Sequence, residues 1–309
     1  AQLLMAGTAG GSAMAWQDFI GRTLPPARRG FFFGLRESMA GLAGLAASLL
    51  LIWYLTGRGD SPGDYLLPLT TGALLYFASW YVLTLVREPE WPGEPVPKGS
   101  WRTYYRETFR ILVDDKNFRA YILARCLLAV TMIFNVALFA SYAKTDFGIS
   151  PALVAGVFSA VNLFGRTISG PVAGRIADRV GFKAPLLAGV TMMAVALVIG
   201  LSLKFMGAFA LAGFIAIYFL YGAQGSVIWV ATFNLQLEFS RVEDRPRYIA
   251  LSSTLSAPVF LVAAASSGWL VDRFHYRPVM AAALVVAVAV WLTVFFTFRD
   301  PRKARLQRV

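Results

Sequence analysis

Gly174-Arg-Ile-Ala-Asp-Arg-Val-Gly-Phe-Lys183 is a ten-residue polar stretch set between two apolar runs, residues 151–173 and 185–203. A helix that crosses a bilayer needs about 20 mostly apolar residues, and each run is of that order. The stretch therefore reads as a tight turn between two membrane helices. Working outward in both directions finds seven more such runs: 1–15, 38–56, 65–86, 119–143, 207–236, 248–270 and 278–298. Nine spans are thus expected, the first of them short.

Composition agrees with a membrane chain. Of 309 residues, 57% are hydrophobic and 15% charged, with mean hydropathy +0.59. Soluble domains run at roughly 45–50% apolar and about 25% charged. Such a balance excludes a disordered chain. One Cys and one His exclude an intrachain disulfide, a Cys-cluster metal site and a His-pair zinc motif. No cofactor or metal is expected.

The net charge of +12 is explained by where the charges sit. Taking the inter-span segments alternately, 21 of the 29 basic residues fall on one side and 5 on the other, with Arg119, Arg125 and Arg166 inside spans. Basic loops mark the cytoplasmic side, so a multi-pass cell-membrane protein with its N-terminus outside and its C-terminus in the cytoplasm is expected. Anionic headgroups, not nucleic acid, are the partner of this charge. The long segment 87–118 is the one real linker. Its opening, Arg87 to Pro97, is too proline-rich for a helix. After it Ser100 can cap a helix whose Trp101, Tyr104, Tyr105, Thr108, Phe109 and Leu112 share helical spacing, as in a helix lying on the inner membrane surface. The expected organisation is three spans (1–86), linker (87–118), six spans (119–298) and a basic tail (299–309).

Two inner segments echo each other weakly across the linker, residues 25–36 and 241–252. Parallel duplication is one way to build a transporter. The stretch 174–183 itself resembles the signature loop of the major facilitator superfamily, Gly-x-x-x-Asp-Arg-x-Gly-x-Lys/Arg, at every fixed position. A degenerate copy, Gly268 to Arg277, follows span eight. The resemblance covers essentially the whole chain. It implies an all-α integral membrane fold of major-facilitator-like helix bundles. The nine spans would correspond to helices four to twelve of twelve: three of an N-terminal bundle and a complete six-helix C-terminal bundle. On this reading the chain is N-terminally truncated and its partners include the missing helices of the same protein. Spans one to three are then expected to be less buried than residues 119–298.

In the signature, Gly174 with Gly170 forms a small-residue packing face, and Gly181 permits a tight turn. The resemblance makes Asp178 a latch between bundles, facing the start of span two near Gly34–Ser38, with Arg241 nearby. A plain helix cap for span six is the other role open to Asp178. Arg179 and Lys183 complete the motif. No span core holds an Asp or Glu, so no visible carboxylate serves a coupling ion, although one remains a possible partner. Polar groups inside a membrane are costly and often functional. Arg125 and Arg166 are therefore pathway candidates, with snorkelling to the inner surface the alternative. Both facing one cavity would favour an anionic solute. Asn135, Gln224 and Asn234 are further candidates, because an amide has four hydrogen-bonding sites to satisfy.

The function expected is secondary active transport of a small solute by alternating access. A non-transporting sensor or scaffold on the same fold is the alternative. A membrane-embedded enzyme is disfavoured by scattered acids and a lone His275, and no nucleotide-binding Gly-x-x-x-x-Gly-Lys-Ser/Thr loop occurs.

Overall fold

Backbone groups in hydrocarbon must bond within their own segment, so apolar runs of this length fold as helices. The computed structural model describes residues 16–56, 61–87, 100–240 and 244–302. Eight helices among them are long and apolar enough to cross a membrane. They coincide with spans two to nine; span one, at 1–15, lies outside the described residues. The description begins with residues 16–23, already helical (α1). Then come α2 (Arg29–Leu55), α3 (Leu66–Thr84), α4 (Trp101–Asp114), α5 (Lys116–Val130) and α6 (Val136–Phe147). A three-residue turn α7 (Pro151–Leu153) and a π segment (Val154–Phe158) lead into α8 (Ser159–Val180). The chain ends in α9 (Lys183–Ser202), α10 (Ala210–Glu238), α11 (Arg245–Phe274) and α12 (Tyr276–Phe296).

Helix ends depart from the apolar boundaries. The segment 16–37, expected as a loop, is α1, a 3-10 turn Pro26–Arg28 and the first turns of α2. Polar residues continue these helices past the bilayer, which hydropathy does not register. Span four is broken: α5 ends in a 3-10 turn Thr131–Ile133, and Asn135, extended at φ −122° and ψ 178°, starts α6. Its Oδ1 accepts from Ala137 N at 2.9 Å, an N-cap that satisfies an orphan donor. In the linker, Ser100 Oγ accepts from Arg102 N at 3.3 Å and begins α4, and Asp115 Oδ1 caps α5.

The core lies among α5, α6, α9, α10 and α12. Tyr121, Phe139, Tyr142, Phe158, Phe214 and Met193 are all buried there. Of an 18-residue apolar stretch in each span, 56% is buried in α10 and 44% in α9, against 11% in α2 and none in α3. Burial is therefore lower on the N-terminal side of the linker, α8 excepted at 11%.

The loops carrying the basic residues meet at one end. There Asn117 Oδ1 accepts from Arg299 N (2.8 Å) and Lys183 N donates to Asp300 Oδ2 (2.7 Å). At the opposite end Lys204 Nζ pairs with Asp146 Oδ2 at 2.8 Å, and Arg277 sits 5.1 Å above the Phe205 ring.

Candidate functional site

Two polar constellations stand out, one closing the basic end and one in the membrane interior. The first grows from the turn after α8. Gly181 takes φ +93°, a left-handed conformation that glycine adopts freely. A Cβ there would also strike the Asp300 carboxylate. That carboxylate caps α9 through Lys183 N, while Lys183 Nζ donates to the carbonyls of Phe295 (2.8 Å) and Phe298 (2.7 Å). Lys183 therefore serves the C-terminal carbonyls of α12, where a cation is favourable.

Held in this way, Asp178 points across to α2. Its Oδ1 accepts from Gly30 N at 3.0 Å and its Oδ2 from Phe31 N at 2.8 Å. Those are unsatisfied donors of the first turn of α2, which carries the positive end of the helix dipole. Arg302 Nη1 lies 3.3 Å from Oδ1. The contact falls a turn before Gly34–Ser38, because α2 begins at Arg29 and free N–H groups exist only at the true helix start. Arg179 is exposed, and Arg241 lies outside the described residues.

Below Asp178 the two helices touch backbone to backbone. A Cβ on Gly30 would meet the Gly174 carbonyl, and one on Gly34 the Gly170 carbonyl. Farther along this seam, Arg166 Nε donates to Glu37 Oε2 at 2.8 Å; Glu37 is 1% exposed. Arg166 is thus spoken for by a carboxylate on α2. More ion pairs join the same end: Arg29 to Glu238 and Arg245 to Asp18, both at 3.9 Å. Asp18 also binds Arg22 on its own helix.

The second constellation lines a cavity of about 480 Å³ between α5, α10 and α11. Arg125, Gln224, Trp229, Ser253, Met132 and Phe260 face it. Arg125 Nε donates to Ser256 Oγ and its Nη1 to Tyr121 Oη, both at 3.2 Å. Tyr121 Oη in turn donates to the Thr232 carbonyl at 2.9 Å. With its amide oxygen turned to the donors, Gln236 accepts from Arg125 Nη1 at 2.7 Å and from Ser252 Oγ at 2.9 Å, and donates to Gln17 Oε1 on α1 at 2.9 Å. Gln224 is 7% exposed and has no hydrogen-bond partner among the described residues.

Of the five pathway candidates, Arg125 and Gln224 come together at this cavity. Asn135 caps α6 beside a second hollow of about 560 Å³ bordered by Val136 and Ala137. Asn234 is fully buried and its Nδ2 donates to Val230 O of its own helix at 2.7 Å. Sequence reasoning missed Gln17, Glu37, Gln236, Asp300 and Arg302. Four of the five lie in the inter-span segment 16–37 or the tail, Gln236 closes a span, and only pairing across the fold gives them roles. Among the described residues no group of three or more His, Cys, Asp or Glu gathers to hold a metal.

Residues 122–308 match the family model described as Major Facilitator Superfamily. No curated protein matches the chain. Among solved structures, the crystal structure of a bacterial homologue of the iron transporter ferroportin, in an outward-facing state, is similar at TM-score 0.65 and 15% identity. The match covers 92% of this chain and 68% of that one, and it is a likeness of fold.

Proposed function

The chain belongs to the major facilitator superfamily, and from that premise we propose that it is a secondary active transporter moving a small solute by alternating access. The observation that carries this reading is the bond from Asp178 to the first N–H groups of α2. It joins the helices before the linker to the six after it, through charge and hydrogen bonds that can be remade. The glycine contact of α2 with α8 supports it, since a seam without side chains lets two helices shift without repacking. The basic end is the closed end and faces the cytoplasm of a cell-membrane protein. There α4 lies on the membrane surface with Tyr105, Phe109 and Val113 turned out. Iron, named for the homologue of the similar structure, is poorly suited here, because the guanidinium of Arg125 repels a metal cation.

The test needs no substrate. Ser253 lines the cavity, and Ser253→Cys in a Cys126→Ser background gives a thiol readable from either face. Membrane-impermeant alkylation from the outer face is expected in the parent, with Asp178→Asn raising labelling from the basic side about tenfold. Labelling confined to one face in both variants would overturn alternating access.

A further inference from the structure

Among the arginines drawn into this protein, Arg125 is set apart by its company. Arg166 has Glu37, Arg29 has Glu238 and Arg245 has Asp18. Arg125 is held by a phenol, a hydroxyl and an amide, all neutral. No carboxylate pairs with it among the described residues, and residues 1–15 contain no Asp or Glu. It stands nine residues into α5, so about 14 Å along the helix axis from Lys116. Its guanidinium reaches back about a turn toward the basic end, to Tyr121 and Gln236, and a guanidinium within a span without a counter-charge is costly to maintain. Neutral acceptors position it but leave its charge uncompensated.

We propose that the cavity between α5, α10 and α11 binds an amphipathic organic anion whose carboxylate pairs with Arg125. The proposal rests on the transporter reading and names its substrate class. A carboxylate matches the guanidinium fork bidentately and binds it more strongly than an amide does. The rest of the cavity suits the rest of such a molecule. Met132, Trp229 and Phe260 give apolar walls, while Gln224 offers an unengaged amide to a second polar group. A volume of about 480 Å³ falls within the range of small-ligand sites. The anion meets Nη1 where Gln236 now accepts, and Gln236 is the link to Gln17 on α1. Occupancy therefore displaces one of the ties between α10 and α1 at the closed end, leaving the bond from Gln17 Nε2 to the Phe233 carbonyl.

The experiment uses the purified full-length protein in nanodiscs. Binding is measured by calorimetry for benzoate, 1-naphthoate and decanoate, each against its primary amide and its primary amine analogue. At least one carboxylate is expected to bind tenfold or more tightly than its amide and its amine. Arg125→Gln should erase that preference, and Arg125→Lys should keep part of it. Gln224→Leu, which leaves the charge in place, should keep the preference for the carboxylate, since none of these probes carries the second polar group that Gln224 would meet. No carboxylate exceeding its amide in the parent would overturn the proposal, as would a preference that survives in Arg125→Gln. Should Arg125→Gln fail to fold, Arg125→Lys and the parent still decide the matter. Two-faced labelling of Ser253→Cys in sealed vesicles made from the same protein separates the readings: if it occurs without anion preference, transport stands and the substrate class falls.

Discussion

α3 and α10 are nearly equal in hydropathy, yet none of the apolar stretch of α3 is buried and 56% of that of α10 is. Leu69, Leu74, Phe77 and Tyr81 of α3 are turned fully outward, while Phe214, Ile217 and Val230 of α10 have no exposed surface at all. Hydrophobicity tells that a helix belongs in a membrane. It does not tell whether lipid or protein covers it, because lipid tails are as apolar as leucine. What singles out α10 is small residues: Gly222 lies against the Asn162 backbone, as Gly165 of α8 does against that of Phe219. α2 is intermediate: a glycine edge packs on α8 and Phe33 on Trp229 and Phe233 of α10, while Leu49, Leu50 and Trp53 are exposed.

The contrast can be broken from either side. The largest effect is expected for Phe139→Ala in the six-helix core, where the ring packs 4.8 Å from Phe134 and 5.3 Å from Tyr221. Removing a buried aromatic costs about 3–5 kcal/mol, read as thermal unfolding in detergent; a loss under 1 kcal/mol would mean the core is loosely packed. Gly34→Val should follow, at about 1–3 kcal/mol for overpacking, since its Cβ meets the Gly170 carbonyl. An unchanged unfolding temperature would show that the α2–α8 seam is open rather than closed. Asp178→Asn comes next, because a charged acceptor of two N–H groups becomes a neutral one. Hydrogen bonds to charged groups are worth about 1.5–3 kcal/mol, and amide substitution forfeits part of that, expected as easier urea unfolding of the N-terminal helices. The smallest change is expected for Phe77→Ala on α3, within about 0.5 kcal/mol. A drop comparable to Phe139→Ala would place a protein partner on α3 in the preparation.

Much of the architecture was legible because apolar length and alternating charge are strong, local signals. Spans two to nine fall where the runs predict, and the polar stretch 174–183 is the turn between α8 and α9. Helix ends were less legible. Arg29 opens α2 nine residues before its apolar run, since a helix leaving the bilayer carries the polar residues that water wants. The break at 131–135 had one local cue, Asn135 ahead of an apolar segment, which is N-cap chemistry as readily as pathway chemistry. Arg125 and Arg166 looked alike in sequence, two arginines at similar depth. Only the fold brings Glu37 across 129 positions to one and leaves the other with neutral partners.

The clasp of Arg302 on Asp178 also orders events in time. Asp178 is synthesised 124 residues before Arg302 and Asp300 is needed to seat the turn that carries it. While α9 to α12 are still being made, the loop carboxylate can find α2 but not its brace. Completion of the closure therefore waits for the end of α12 to arrive. A ribosome stalled before residue 300 would hold a chain whose basic end is only half fastened.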